Sequence, residues 1–183
     1  MRDQDWTASL RNVIRDVDEL LALVGVPRSA LAADLAPAFP VRVPRSFASR
    51  MRYGDAADPL LRQVLPLAAE NVAVPGFCAD PLDEASAMVA PGLIQKYASR
   101  LLLITAGDCA VHCRYCFRRN FPYSEHRLSV EDESLAAIRA DPSITEVIAS
   151  GGDPLMLTDA HFARLCDALE SICLLYTSDA ADE

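Results

Sequence analysis

The segment DCAVHCRYCFRRNFPY, residues 108–123, sets Cys109, Cys113 and Cys116 in a Cys-x3-Cys-x2-Cys array with no fourth cysteine nearby. Thiols this crowded read as a metal or catalytic site rather than as a disulfide framework. The N-terminus, MRDQDWTASL, lacks the charged-then-apolar layout of a signal peptide, which points the same way. Two metal chemistries compete. Three thiolates on a four-iron cluster leave one iron with an open position for a small molecule, whereas saturated ferredoxin sites use a Cys-x2-Cys-x2-Cys run. Structural zinc is closed by four protein ligands, commonly in Cys-x2-4-Cys pairs. Its fourth ligand here would have to be His112, His126, Cys78 or Cys166, and His112 lies inside the array, poorly placed to close the tetrahedron. The spacing favours the open iron–sulfur site.

The elements around the array must position it. Residues 1–37 read as helical: Asp16 to Val24 carries acids in its first turn and has Gly25 just past its end. Pro37, Pro40 and Pro44 then break regular structure, and residues 55–95 suggest short helices joined by ordered loops. Leu101–Ala106 is a continuous apolar run, as in a strand buried on both faces of a parallel sheet. Ser129-Val130-Glu131-Asp132 has the spacing of a capping box, with Leu135 and Ile138 as the apolar stripe of the helix it opens. Thr145–Ser150 reads as a second strand, closed by Gly151-Gly152-Asp153-Pro154. Phe162, Leu165, Cys166, Leu169 and Ile172 recur at helical spacing behind a Thr158 cap. Strand, helix, strand, helix means βα units on a parallel sheet, with the cysteines in the loop after the first strand. The expected layout is a helical and loop region over 1–95 and a βα region over 96–172.

These residues resemble a known family. Cys-x3-Cys-x2-Cys with Tyr115 before the last cysteine resembles the cluster loop of radical S-adenosylmethionine (SAM) enzymes. CRYCFRRNFPY, SGGDPLM, PGLIQKY and DPLLRQVLP together resemble the lysine 2,3-aminomutase family. VPRSF at 43–47 and PGF at 75–77 resemble the bacterial branch that makes (R)-β-lysine for modifying elongation factor P. The resemblance spans about residues 5–172. It implies the start of a partial (β/α)6 barrel and a 1,2-amino shift converting L-α-lysine to (R)-β-lysine. The implied cofactors are a [4Fe–4S] cluster, SAM and pyridoxal 5′-phosphate (PLP). By position, Cys109, Cys113 and Cys116 would hold the cluster. Tyr115, Gly151, Gly152 and Asp153 would contact SAM, and Arg118 would clamp the substrate carboxylate. Lys96, Tyr97 and Arg100 would hold the PLP phosphate, provided they fall on one side of a helical or turn segment. Arg119 is either a structural neighbour of Arg118 or a packing cation. Lys96 is the only lysine and is not read as a Schiff-base residue. The alternatives are a 2,3-aminomutase of glutamate or arginine, or a non-catalytic zinc-binding module.

Length and composition bound the rest. With 183 residues, 51% of them hydrophobic, one sizeable core is expected and two independent domains are not. No apolar run reaches the ~20 residues that span a bilayer, so a cytoplasmic protein without membrane contact is expected. The last eleven residues, CLLYTSDAADE, back-translate to a sequence resembling the transposon-end adapter of sequencing libraries, and 173–183 are set aside as such a scar. Without Asp179, Asp182 and Glu183 the formal charge of −9 becomes −6, from 17 basic and 23 acidic residues. An acidic chain argues against nucleic acid as a partner. A homo-oligomer remains open. A chain ending near Ile172 is expected to form no β-lysine alone.

Overall fold

Asp16 begins the first well-packed helix by the mechanism its type dictates: its side chain accepts from the Glu19 amide at 2.9 Å. The computed structural model describes residues 6–123 and 133–172. These fall into two compact units, one of residues 1–79 with 110–119, the other of 80–109 with 120–183.

The first unit holds helices α1 (Trp6–Arg11), α2 (Val17–Val24), α3 (Arg45–Ala48) and α4 (Pro59–Val64). Gly25 ends α2 in the left-handed region at φ 69°, as its position predicts. The continuous helicity expected over 1–37 is not observed. Ile14 leaves the helical path to bridge Val43 in antiparallel fashion, because both are wholly buried and a bridge satisfies their backbone groups. Ile14, Leu20, Val43, Leu61 and Val64 belong to the core of this unit.

Asp58 caps α4, with Oδ1 accepting from the Leu60 and Leu61 amides while Oδ2 accepts from Arg52 N. The bond from Arg52 N, then that from Leu61 N, holds its carboxyl below the usual carboxylate range. The folded state therefore keeps this charge to lower pH than the unfolded chain does. The resulting stability is complete above the ordinary carboxylate pKa and is lost as pH falls through the depressed one. In acid titrations followed by circular dichroism, Asp58→Asn is expected to be less stable than the parent at neutral pH. The gap should close at the acid end. A gap that stays constant with pH would remove Asp58 as its source.

The second unit is built on a four-stranded sheet, β1 (Met88–Ala90), β2 (Leu93–Tyr97), β3 (Arg100–Ala106) and β4 (Glu146–Gly151), in that spatial order. The β3–β4 pair is parallel, with Leu101 opposite Val147 and Leu103 opposite Ala149, as the apolar runs predict. Helices α5 (Glu133–Ala140) and α6 (Asp159–Glu170) follow β3 and β4, giving the expected βα order. Thr158 Oγ1 accepts from His161 N at 3.3 Å and caps α6. The proposed capping box at 129–132 lies outside the described residues.

The sequence reading missed β1 and β2, which pair antiparallel and extend the sheet beyond β3. Their apolar stretches are too short to stand out, yet Leu93 and Ile94 are buried against Leu103 and Leu102. The boundary expected at 95/96 therefore runs through β2. A second core gathers Leu93, Leu101, Leu103, Ile138, Val147, Leu165 and Leu169, so two clusters stand where one core was expected. Leu103 is wholly buried, and Leu103→Ala should cost about 2–5 kcal/mol in denaturant unfolding.

Candidate metal and cofactor site

The cysteine loop is fixed largely by the residues between its cysteines. His112 N donates to Arg42 O at 3.0 Å and Arg114 N to Gln63 O at 2.7 Å, tying the loop to the first unit. The His112 ring stacks on Phe39 with centroids 4.8 Å apart, and its Nδ1 lies 2.9 Å from Pro40 O. The Arg114 side chain is only 6% exposed. Its Nε and Nη2 reach Glu70 at 3.0 and 2.6 Å, a bidentate pair, and Nη1 donates to Phe39 O at 2.9 Å. Arg119 Nη2 reaches the same carboxylate at 2.9 Å. Burial would raise the Glu70 carboxyl, but hydrogen bonds from Arg114 and the Leu67 amide, with the Arg114 charge, outweigh it and hold it low. Arg119 is thus a structural cation. Glu70 and Phe39 are positioning residues that the sequence reading did not name; they lie too far along the chain for spacing to reveal them.

Within this frame Cys116 N donates to Cys113 O at 3.2 Å, which closes the turn that carries both thiols. Cys109, Cys113 and Cys116 are all half-buried and outside any disulfide. Tyr115, 71% exposed, hydrogen-bonds with Cys113. That bond, with the charge of the Cys113 and Cys116 thiolates, raises its phenol above the ordinary value. Arg118 is 7% exposed, with its guanidinium 4.9 Å from the centre of the Phe117 ring.

In the second unit the motif at the end of β4 meets the end of β3. Gly152 N donates to Ala106 O at 2.7 Å and Asp153 N to Asp108 O at 2.8 Å. A Cβ on Gly152 would sit 2.1 Å from Asp108 O, and one on Gly151 would sit 2.3 Å from Ala106 O. The glycines are therefore required by the approach of backbone to backbone. Asp153 Oδ1 accepts from Leu155 N at 3.0 Å, and Tyr123 Oη donates to Gly151 O at 2.8 Å. Cys109 lies in the loop so fastened, at the carboxyl end of β3, where α/β folds gather ligands.

Of the helical and turn alternatives for Lys96, Tyr97 and Arg100, the structure has the turn, at Ala98-Ser99. The three residues end β2 and open β3 across a bulged hairpin in which Tyr97 pairs with Arg100. The reason is the buried Leu93–Ile94 pair, which commits the preceding residues to the sheet. The Arg100 guanidinium stands 5.9 Å from the Tyr97 ring centre and also pairs with Glu146. The Lys96 ammonium donates to the Leu82 carbonyl instead. These groups sit at the start of β3 and Cys109 beyond its end, roughly 20 Å apart at about 3.3 Å per strand residue.

Cys109 is counted with one unit, and Cys113 and Cys116 with the other. Among the described residues no three His, Cys, Asp or Glu side chains are already gathered to hold a metal ion. For the zinc reading, His112 is engaged with Phe39 and Pro40, and His126 lies outside the described residues. Among the described residues no helix is long and apolar enough to cross a membrane.

Comparison with known proteins bears on this site directly. Residues 98–178 match a family described as a 4Fe-4S single cluster domain. The L-lysine 2,3-aminomutase of Escherichia coli (strain K12) is 47% identical over 174 residues, covering 92% of this chain and 51% of the relative. The proteins of that name from Buchnera aphidicola and Haemophilus influenzae are each 41% identical, with 51% and 52% of their lengths covered. The chain thus spans about half the length of the curated relatives it matches. By likeness over nearly all of its own length, the chain belongs to the lysine 2,3-aminomutase family.

Proposed function

We propose that this chain is the cluster-holding portion of a radical SAM, PLP-dependent isomerase that converts L-α-lysine to (R)-β-lysine. One observation carries the reading: three half-buried thiols, two on a single anchored turn, within a stretch matching a 4Fe-4S domain. Soft thiolates suit iron–sulfur ligation, and three of them leave an iron for SAM. When bound, the cluster and SAM supply one-electron chemistry, and PLP supplies an electron sink beside the substrate amino group.

The chain's own residues bind and orient. Cys109, Cys113 and Cys116 hold the irons. The exposed face of Tyr115, with Gly151, Gly152 and Asp153, holds SAM; the last three do so through carbonyl and carboxylate oxygens as well as close backbone approach. Arg118, almost fully withdrawn from water, takes the substrate carboxylate in its fork. Tyr97 and Arg100 fit a phosphate as an exposed phenol beside a guanidinium, with Glu146 as the resident counter-ion to be displaced. Lys96 is their sequence neighbour and the weaker member of the set. The βα order supports the opening of a (β/α)6 barrel. Likeness to the elongation factor P branch supports lysine over glutamate or arginine, with a cytoplasmic setting.

Anaerobic reconstitution with iron and sulfide tests the core of the proposal. A broad absorption near ~400 nm and an electron paramagnetic resonance signal that changes on adding SAM are expected. A colourless chain holding zinc tightly would replace this reading with the zinc module.

A further inference from the structure

We infer that Glu70 and Phe39 form a clamp that sets the loop from Val111 to Arg119 in its metal-receiving conformation before any metal arrives. The inference rests on Cys113 and Cys116 being ligands, but its geometry lies wholly within the first unit. Glu70 receives two guanidinium groups from the loop, Arg114 at 3.0 and 2.6 Å and Arg119 at 2.9 Å. Arg114 lies within the turn that carries both cysteines, and Arg119 follows it. Phe39 receives the same two cations on its ring, at 5.2 and 5.3 Å, and the stacked His112 at 4.8 Å. Its carbonyl also accepts from Arg114 at 2.9 Å. One carboxylate and one ring thus engage His112, Arg114 and Arg119 of the loop.

The placement of the carboxylate is itself fixed. Leu67 N donates to Glu70 Oε1 at 3.2 Å, so the acid is held by its own short 3₁₀ turn, Ala68–Asn71. A loop of nine residues that must wait for metal with free thiols loses conformational freedom at every residue when the cluster forms. Ordering it beforehand against a mostly buried ion pair moves that loss to the folding step, where the first unit's core offsets it. Two cations of the loop, Arg114 and Arg119, converge on this carboxylate. Glu70 neutralises part of their charge from the side of the protein.

The test uses the chain without metal, reduced and anaerobic, and measures N-ethylmaleimide alkylation of each cysteine by mass spectrometry. In Glu70→Gln and in Phe39→Leu, the rates at Cys113 and Cys116 are expected to rise about tenfold, equivalent to roughly 1.4 kcal/mol of closed-state preference. The rate at exposed Cys78 should not change. Phe39→Tyr keeps the ring and should restore the parent pattern. Iron retained at limiting iron after reconstitution should fall with the same ranking. Unchanged rates at Cys113 and Cys116, or a rise shared equally by Cys78 and Cys166, would overturn the clamp. Should Glu70→Gln not fold, Phe39→Leu decides, because it removes no charge. A parent chain that shows the clamp pattern but takes up no iron would refute the cluster reading and leave the clamp standing.

Discussion

Replacing Gly152 with alanine will part the ends of β3 and β4. The new Cβ would stand 2.1 Å from Asp108 O, and the obstacle is backbone, which no side-chain rotation can clear. Overpacking ordinarily costs about 1–3 kcal/mol, and a backbone obstacle belongs at or above the top of that range. The shift must break the bonds from Gly152 N to Ala106 O and from Asp153 N to Asp108 O. Amide exchange at Gly152 and Asp153 should accelerate to the rates of exposed loops, ahead of the rest of β4. Gly54 provides the contrast: it has a positive φ, 74°, which Gly152 does not, and nothing lies within 4 Å of its added Cβ. Gly54→Ala should cost only the backbone penalty, roughly 1–2 kcal/mol. A loss at Gly152 no larger than that at Gly54 would show that the approach of the two loops does not set the requirement at Gly152. Because Cys109 sits in the loop that Gly152 fastens, the alanine chain should also hold its cluster less firmly.

The second large effect concerns the thiols. Serine at Cys109, Cys113 or Cys116 removes a soft donor that an oxygen replaces poorly. Each variant is expected to lose the ~400 nm band, with iron falling from about four per chain towards background. Cys78→Ser and Cys166→Ser should keep both, since neither residue is assigned a metal role. The pattern across five cysteines is what discriminates. If serine at Cys78 or Cys166 also emptied the site, a fourth protein ligand would close it, and the open position proposed for SAM would be gone. The fold should survive the single serine changes, because the loop is fastened by His112, Arg114 and Arg119 rather than by its cysteines. Near-identical thermal unfolding of the metal-free chains would confirm that division of labour.

Much of this was legible in the residues. Local rules reached the Thr158 cap, the Gly25 terminus, the β3 and β4 runs and their parallel order, because each depends on neighbours a few positions away. The cysteine spacing declared the chemistry for the same reason: ligands of one cluster must be close, and a short loop keeps them so. For Lys96, Tyr97 and Arg100 local rules left a helical and a turn arrangement open, and only the sheet chose the turn. Gln95-Lys96-Tyr97 has no strand pattern of its own and is extended only because Leu93 and Ile94 find partners in β3.

The sequence by itself pointed to which atoms could bind iron and to β3, β4 and the helix behind each, since type and spacing are properties of the chain. Only the tertiary structure decided what steadies the metal loop. Glu70 lies 44 residues from Arg114 and Phe39 lies 75 residues before it, and no periodicity links them. Folding brings them together because burying the Arg114 guanidinium demands an acid and a carbonyl at its edge. Likewise the need for Gly151 and Gly152 arises from a neighbour forty-odd positions earlier, whose backbone comes too close for any side chain.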